Sequence, residues 1–402
     1  MGASLMWALW AEQQGGAERD RLDKNLAWLA DHRTDYVRWF ASVGGDSWAD
    51  RAVDITRPDY RERMSALASR ARRQFGIRSH ITCIAGSRQT DTSDDRQHVV
   101  EHVIAIAKAQ PEDVFAIEIA NEWWSRRIPL SELRRLAKLV QTNVAVLNGP
   151  SAPQGDSEAK IKELYEDHVG TLVFLHPARD MKSDGHWRSV RQAWREQNFE
   201  VDGVADAYLF SEPKGEKSSV SADSDPTRLA LTAVMAWLCG IGGYTVHASA
   251  GIRGGGIADR EKGRAANYWE VEHGDATFRA IDYARSLLDQ NLPNWAKVNG
   301  DSSRAPLLFR GTFKGPSDQG RPDVMRVYWA TIGGQHAKGT QAVGVALDIS
   351  GTNCTFEAPA ACHVDVHDLA ARAKVRTVRL AKGDRFTLAR SPQGVLMRGL
   401  FV

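Results

Sequence analysis

The strongest constraint on this chain is a repeated switch of hydrophobic period. Apolar runs rich in Val, Ile, Leu, Phe and Tyr alternate with amphipathic stretches from the first residues to about residue 290. SLMWALW (4–10) precedes ERDRLDKNLAWLADH (18–32), and TDYVRWFASV (34–43) precedes PDYRERMSALASRARRQF (58–75). IRSHITCIAG (77–86) precedes DDRQHVVEHVIAIAKA (94–109), and VFAIEIANEWW (114–124) precedes SELRRLAKLVQ (131–141). The same switch recurs at NVAVLNGPSAP (143–153), TLVFLHPA (171–178), VADAYLFSEP (204–213) and GGYTVHAS (242–249), each followed by a helical pattern. Apolar residues spaced three and four apart mark the helices, and short β-rich runs mark the strands. Eight such units, averaging ~34 residues, have the size of a βα repeat. The expectation is a (β/α)8 TIM barrel over residues 1–300. An open doubly wound sheet usually shows a glycine-rich turn after its first strand, and SLMWALWAEQQGG contains no GxGxxG.

From about residue 305 the pattern changes. LLFRGTF, VMRVYWATIG, QAVGVALDIS, CHVDVHDL, VRTVRLAKG, DRFTLAR and GVLMRGLFV are short alternating runs split by Gly, Pro, Asp and Ser. They predict a C-terminal all-β, sandwich-like domain over 301–402.

Composition narrows the function. Lys+Arg is 52 and Asp+Glu is 50, giving a net charge of +2 with the signs interspersed. That excludes the basic run expected of a nucleic-acid or anionic-membrane partner. No apolar run approaches a membrane span. MGASLMWALW lacks a signal-peptide pattern, so the expected location is cytoplasmic if the chain is complete. The four cysteines form no CxxC pair, so no metal site is expected. Free thiols are the preferred reading, with a Cys354–Cys362 bridge as the alternative.

In such a barrel the site lies at the C-terminal ends of the strands. The fourth run ends in Asn121-Glu122 and the seventh in Ser211-Glu212, each after an apolar run where a charge is costly. Strands three units apart face each other across the mouth. Two opposed carboxylates serve glycosidic cleavage, one donating a proton and the other attacking the anomeric carbon or activating water. Arg38, inside YVRWF, could hold one carboxylate ionised; an interior ion pair with Glu118 is its other reading. His176 and His247 add donors at strand ends six and eight. Trp10, Trp39, Trp48, Trp123 and Trp124 lie at or beyond strand ends, where indole faces suit sugars. GIRGGG (251–256) reads as a mobile loop over the site, Asp225 as a helix cap, and His363 and His367 as solvated surface.

IEIANE resembles the acid/base motif of clan A glycoside hydrolases, the retaining (β/α)8 enzymes that include family 5 cellulases and mannanases. The resemblance runs through the whole barrel in order and includes a trailing β module. It implies Glu122 as acid/base, Asn121 as the 2-hydroxyl contact, Glu212 as nucleophile and Arg38 as its support. Glu118 matches a common acidic position of family 5. NEWW stands where NEP is frequent, no His closes strand three, and His247 replaces a Trp at strand eight. The implied function is a retaining β-glycoside hydrolase with a carbohydrate substrate and no cofactor. A carbohydrate-binding barrel without turnover and an unrelated TIM-barrel lyase are the alternatives.

Overall fold

The computed structural model describes residues 1–86, 88–123, 128–152, 158–176, 208–213, 224–257, 261–300, 302–310, 327–346, 354–388 and 394–402. Trp124 and the helical pattern expected after TLVFLHPA, HWRSVRQAWRE (186–196), lie outside them.

Within the first compact unit, parallel strands β1 (Gly2–Ser4), β2 (Tyr36–Ser42), β3 (Arg78–Ile84), β4 (Val114–Ala120), β5 (Leu147–Gly149), β6 (Ser151–Ala152), β7 (Val173–Leu175), β8 (Tyr208–Phe210) and β9 (Ile241–Val246) pair in the order β5-β4-β3-β2-β1-β9-β8-β7-β6. Leu147–Gly149 pairs with β4 and Ser151–Ala152 with β7. These are two halves of one strand, interrupted at Pro150, which has no N–H to give a ladder. The two ends of the order are therefore one segment, and the sheet closes as an eight-stranded TIM barrel. Every residue of β2 is buried, as expected where both faces of a parallel sheet are covered.

The connections hold helices α1 (Ala8–Gln14), α2 (Gly16–Asp31), α3 (Tyr60–Phe75), α4 (Ser93–Ala109), α5 (Leu130–Asn143), α6 (Glu158–Tyr165), α7 (Pro226–Leu238) and α8 (Ser249–Arg253), with α9 (Gly274–Ser286) after the last strand. α3 buries Tyr60, Met64, Leu67, Ala68 and Ala71 along one stripe and ends at Gly76, whose φ of 74° suits glycine. Asp225 caps α7, accepting from the Arg228 N–H ahead of Pro226, which is the expected capping role.

Two expectations are corrected here. The first strand is Gly2–Ser4, not 4–10, and residues 8–14 are helix α1. Leu5, Met6, Trp7 and Leu9 are all buried, and a continuous apolar run has no period to separate strand from buried helix. GIRGGG is not loop throughout: it contains the end of α8, which closes at Gly254 with φ 52°.

The second compact unit gathers α7, α9 and the β module. The antiparallel strands β10 (Ala296–Asn299), β12 (Val327–Ile332), β13 (Gln341–Ala346), β15 (Cys362–Asp368), β16 (Ala373–Leu380) and β18 (Val395–Phe401) form one sheet, in the order β10-β12-β13-β18-β15-β16. β11 (Leu308–Phe309), β14 (Thr355–Glu357) and β17 (Arg385–Thr387) form another. Trp329, Val364 and Met397 from the first sheet share a core with Phe356 and Phe386 from the second, which makes the module a sandwich. Its first strand begins at Ala296, ahead of the change in pattern along the sequence. Cys83, Cys239, Cys354 and Cys362 form no disulfide, so the Cys354–Cys362 bridge is not made. His367 is buried and bonds the Tyr283 hydroxyl at 3.0 Å, so it is not the solvated surface residue expected. The outer face of this sheet is packed under α9 at that point.

Candidate active site

The barrel interior changes character within one strand step. Side chains two apart on a strand share a face. Tyr36, Ala116 and Phe174 belong to an apolar cluster with Leu172 and Leu209. Two positions later the chain carries Arg38, Glu118 and His176, all buried. Register places His80 beside Arg38 and Thr82 beside Glu118. The N-terminal floor is thus apolar and the layer above it charged, facing the C-terminal mouth.

Arg38 joins the side chains of that layer through four hydrogen bonds. It lies in the middle of β2 rather than at its end, with its side chain fully buried. Nε donates to Glu118 Oε2 at 2.9 Å and to Thr82 Oγ1 at 3.1 Å. Nη1 donates to Glu212 Oε1 at 2.6 Å, and Nη2 to Asn121 Oδ1 at 2.8 Å. The guanidinium fork thus reaches Glu118 and Glu212 together. Thr82 donates its hydroxyl to Glu118 Oε2 at 2.8 Å.

His176 makes a second bridge between the same carboxylates. Its Nε2 lies 2.8 Å from Glu118 Oε1 and its Nδ1 3.6 Å from Glu212 Oε2. His247 Nε2 lies 3.9 Å from Glu212 Oε2, while its Nδ1 is 2.9 Å from Ser4 Oγ. His80 Nε2 lies 3.3 Å from Glu118 Oε2 and its ring stacks on Phe174 at 5.0 Å.

Burial opposes every charge here, and the partners decide which survive. Against that burial, the Arg38 guanidinium and the histidines hold Glu118 well below the usual carboxylate range. Burial also disfavours the His176 imidazolium, but Glu212 and the Glu118 hydrogen bond outweigh it and push it up to about 9. For His80 burial wins over Glu118, and it falls to about 4. These opposite directions favour a charged His176 and a neutral His80 at neutral pH.

Asn121 and Glu122 follow β4 directly. The Asn121 N–H bonds the carbonyl of Ile84 at 2.8 Å, fixing the chain as it leaves the sheet. Glu122 then takes φ 45°, a left-handed conformation that costs a non-glycine residue strain and that clusters at functional sites. Trp123 donates its indole N–H to the Ser151 carbonyl at 2.9 Å.

The structure thus brings Arg38, Asn121, Glu212, His176 and His247 into one network, with Glu122 and Trp123 next in the chain after Asn121. Trp10, a residue of α1, lines a cavity of about 460 Å³ with Glu18, Arg21, Asp50 and the 254–256 glycines. Trp39 is fully buried and Trp48 nearly so. His80, Thr82 and Ser4 were not singled out from the sequence. Their signal was present: His80 and Thr82 are polar residues at period two inside an apolar strand. Among the described residues no group of three or more His, Cys, Asp or Glu side chains could hold a metal ion. No described helix is long and apolar enough to cross a membrane.

No family model matches the sequence, and no curated protein matches it. Solved structures do match the fold. A glycoside hydrolase family 5 protein from Bacteroides vulgatus ATCC 8482 aligns with a TM-score of 0.64 at 11% identity, over 99% of this chain and 88% of that one. A GH5_18 protein from Streptomyces cattleya, solved in complex with Manβ1-4GlcNAc, aligns with a TM-score of 0.52 at 13% identity, over 71% and 81%. The alpha-glucosyl transfer enzyme XgtA aligns with a TM-score of 0.53 at 11% identity, over 94% of each chain. What this chain shares with all three is a fold, and two of them carry the family 5 name to which the IEIANE motif also points.

Proposed function

We propose that the protein is a retaining glycoside hydrolase that cleaves a β-glycosidic bond by double displacement. Glu212 attacks the anomeric carbon while Glu122 gives its proton to the departing oxygen. One C–O bond breaks as the glycosyl ester forms. Glu122 then takes a proton from water, whose oxygen attacks the same carbon and releases Glu212. Asn121 binds the 2-hydroxyl, and Arg38, His176 and His247 orient Glu212. The tryptophan beyond Glu122 offers a surface for the sugar.

The observation that carries this reading is the hold on Glu212. A buried carboxylate at a barrel mouth is fixed by a 2.6 Å bond from a buried arginine, which also holds the Asn of an Asn-Glu pair at 2.8 Å. An ion pair of this kind favours the anionic, attacking form. The fold likeness to family 5 structures supports the same chemistry.

The test is stereochemical. With a panel of aryl β-glycosides, proton NMR in the first minutes should show the β-anomer as first product. A 2-fluoroglycoside should leave its adduct on Glu212. An α-anomer appearing first would overturn double displacement. Binding without turnover across the panel would favour a carbohydrate-binding barrel instead.

A further inference from the structure

Glu118 has no assigned role in the reaction just described, yet it is the most densely bonded carboxylate of the cluster. Oε2 takes Arg38 and Thr82 and faces His80, and Oε1 takes His176. Arg38 and His176 each reach on to Glu212, one to each of its oxygens. Two acids and two cations therefore alternate around a closed ring of four, with Glu118 and Glu212 at opposite corners. The cations have two anionic neighbours in the resting protein. Once Glu212 is esterified, it no longer supplies charge, and Glu118 is left as the carboxylate in contact with both cations.

We propose that Glu118 is a positioning residue, a permanent counter-ion that keeps Arg38 and His176 charged and in place while Glu212 loses and regains its charge. Its place in the ring suits this. It is wholly buried, with Thr82 fixing the oxygen that Arg38 uses. The other groups facing His176 cannot substitute. His80 is neutral, and His247 and Arg38 bring no negative charge. A buried cation without a counter-ion is costly and gives up its proton where it can. This inference rests on the proposed function only for its role in turnover, since the ring itself is a matter of geometry.

Titration of His176 by NMR tests it without any assay. The protein is labelled at histidine, and the resonance is assigned with His176→Gln. In Glu212→Gln, which neutralises that corner as esterification would, His176 should titrate lower than in the unaltered protein but still above the ordinary value of about 6.5. In Glu118→Gln it should fall by about 1–2 units, and in the double variant below the ordinary value. A His176 midpoint unmoved by Glu118→Gln in folded protein would overturn the proposal. So would a midpoint below the ordinary value in Glu212→Gln alone, a measurement that stands even if Glu118→Gln fails to fold. If the β-glycoside panel shows no turnover while these titrations behave as expected, the functional reading fails and the counter-ion survives.

Discussion

Glu118 in the barrel and Glu357 in the β sandwich each accept two cationic side chains, and their surroundings make them different objects. Glu357 takes Arg385 at 2.8 Å and Arg310 at 3.4 Å, but those arginines are 63% and 46% exposed. Hydrogen bonds from Arg385 and Arg310 bring its carboxyl below the usual range with little burial to overcome. Glu118 reaches a low value against full desolvation. Water and salt can replace either partner of Glu357. Nothing replaces a lost partner of Glu118, and the remaining charges are stranded. The lesson is that counting ion pairs says little. Burial decides whether a pair holds a site together or decorates a surface.

The sharpest way to test this contrast is to remove Arg38. Arg38→Met leaves Glu118 and Glu212 as neighbouring buried acids with one fewer cation. Urea denaturation should show a loss of about 3–5 kcal/mol. Hydrolytic rate should fall on the order of 10²-fold or more. Near-normal stability would mean that burial does not amplify the pair.

A smaller effect is expected from pH. The folded value of His176, about 9, lies above its ordinary one, so its contribution is complete below about pH 6.5 and is lost as pH rises through 9. Melting temperature should therefore fall across that interval, and His176→Asn should flatten this part of the curve. A slope unchanged by the substitution would assign it to another group.

The smallest effect belongs to Glu357. Glu357→Gln should move the Tm by about 1–2 °C, with the difference shrinking in added salt and catalytic rate unchanged. A loss comparable to that of Arg38→Met would erase the distinction between the two regions.

The sequence by itself determined the alternation of strand and helix, because periods of two and 3.6 are written in neighbouring residues. It also determined which carboxylates end strands: Glu122 after IEIAN and Glu212 after AYLFS are local facts. The tertiary structure decided the partners. Whether Arg38 serves Glu118 or Glu212 depends on the register of β2, β3 and β4 and on the closure that brings His176 and Glu212 round to the same mouth. Local pattern carries neither. Nor could it place the first strand, since the continuous apolar run from Leu5 to Leu9 has no period that separates strand from helix, and only packing chose helix α1, which carries Trp10. Charge states followed last, since His80 and His176 are the same residue type in one buried layer. His80 is neutral and His176 charged because distances of 2.8 and 3.6 Å to two carboxylates outweigh burial in one case, and one contact at 3.3 Å does not in the other.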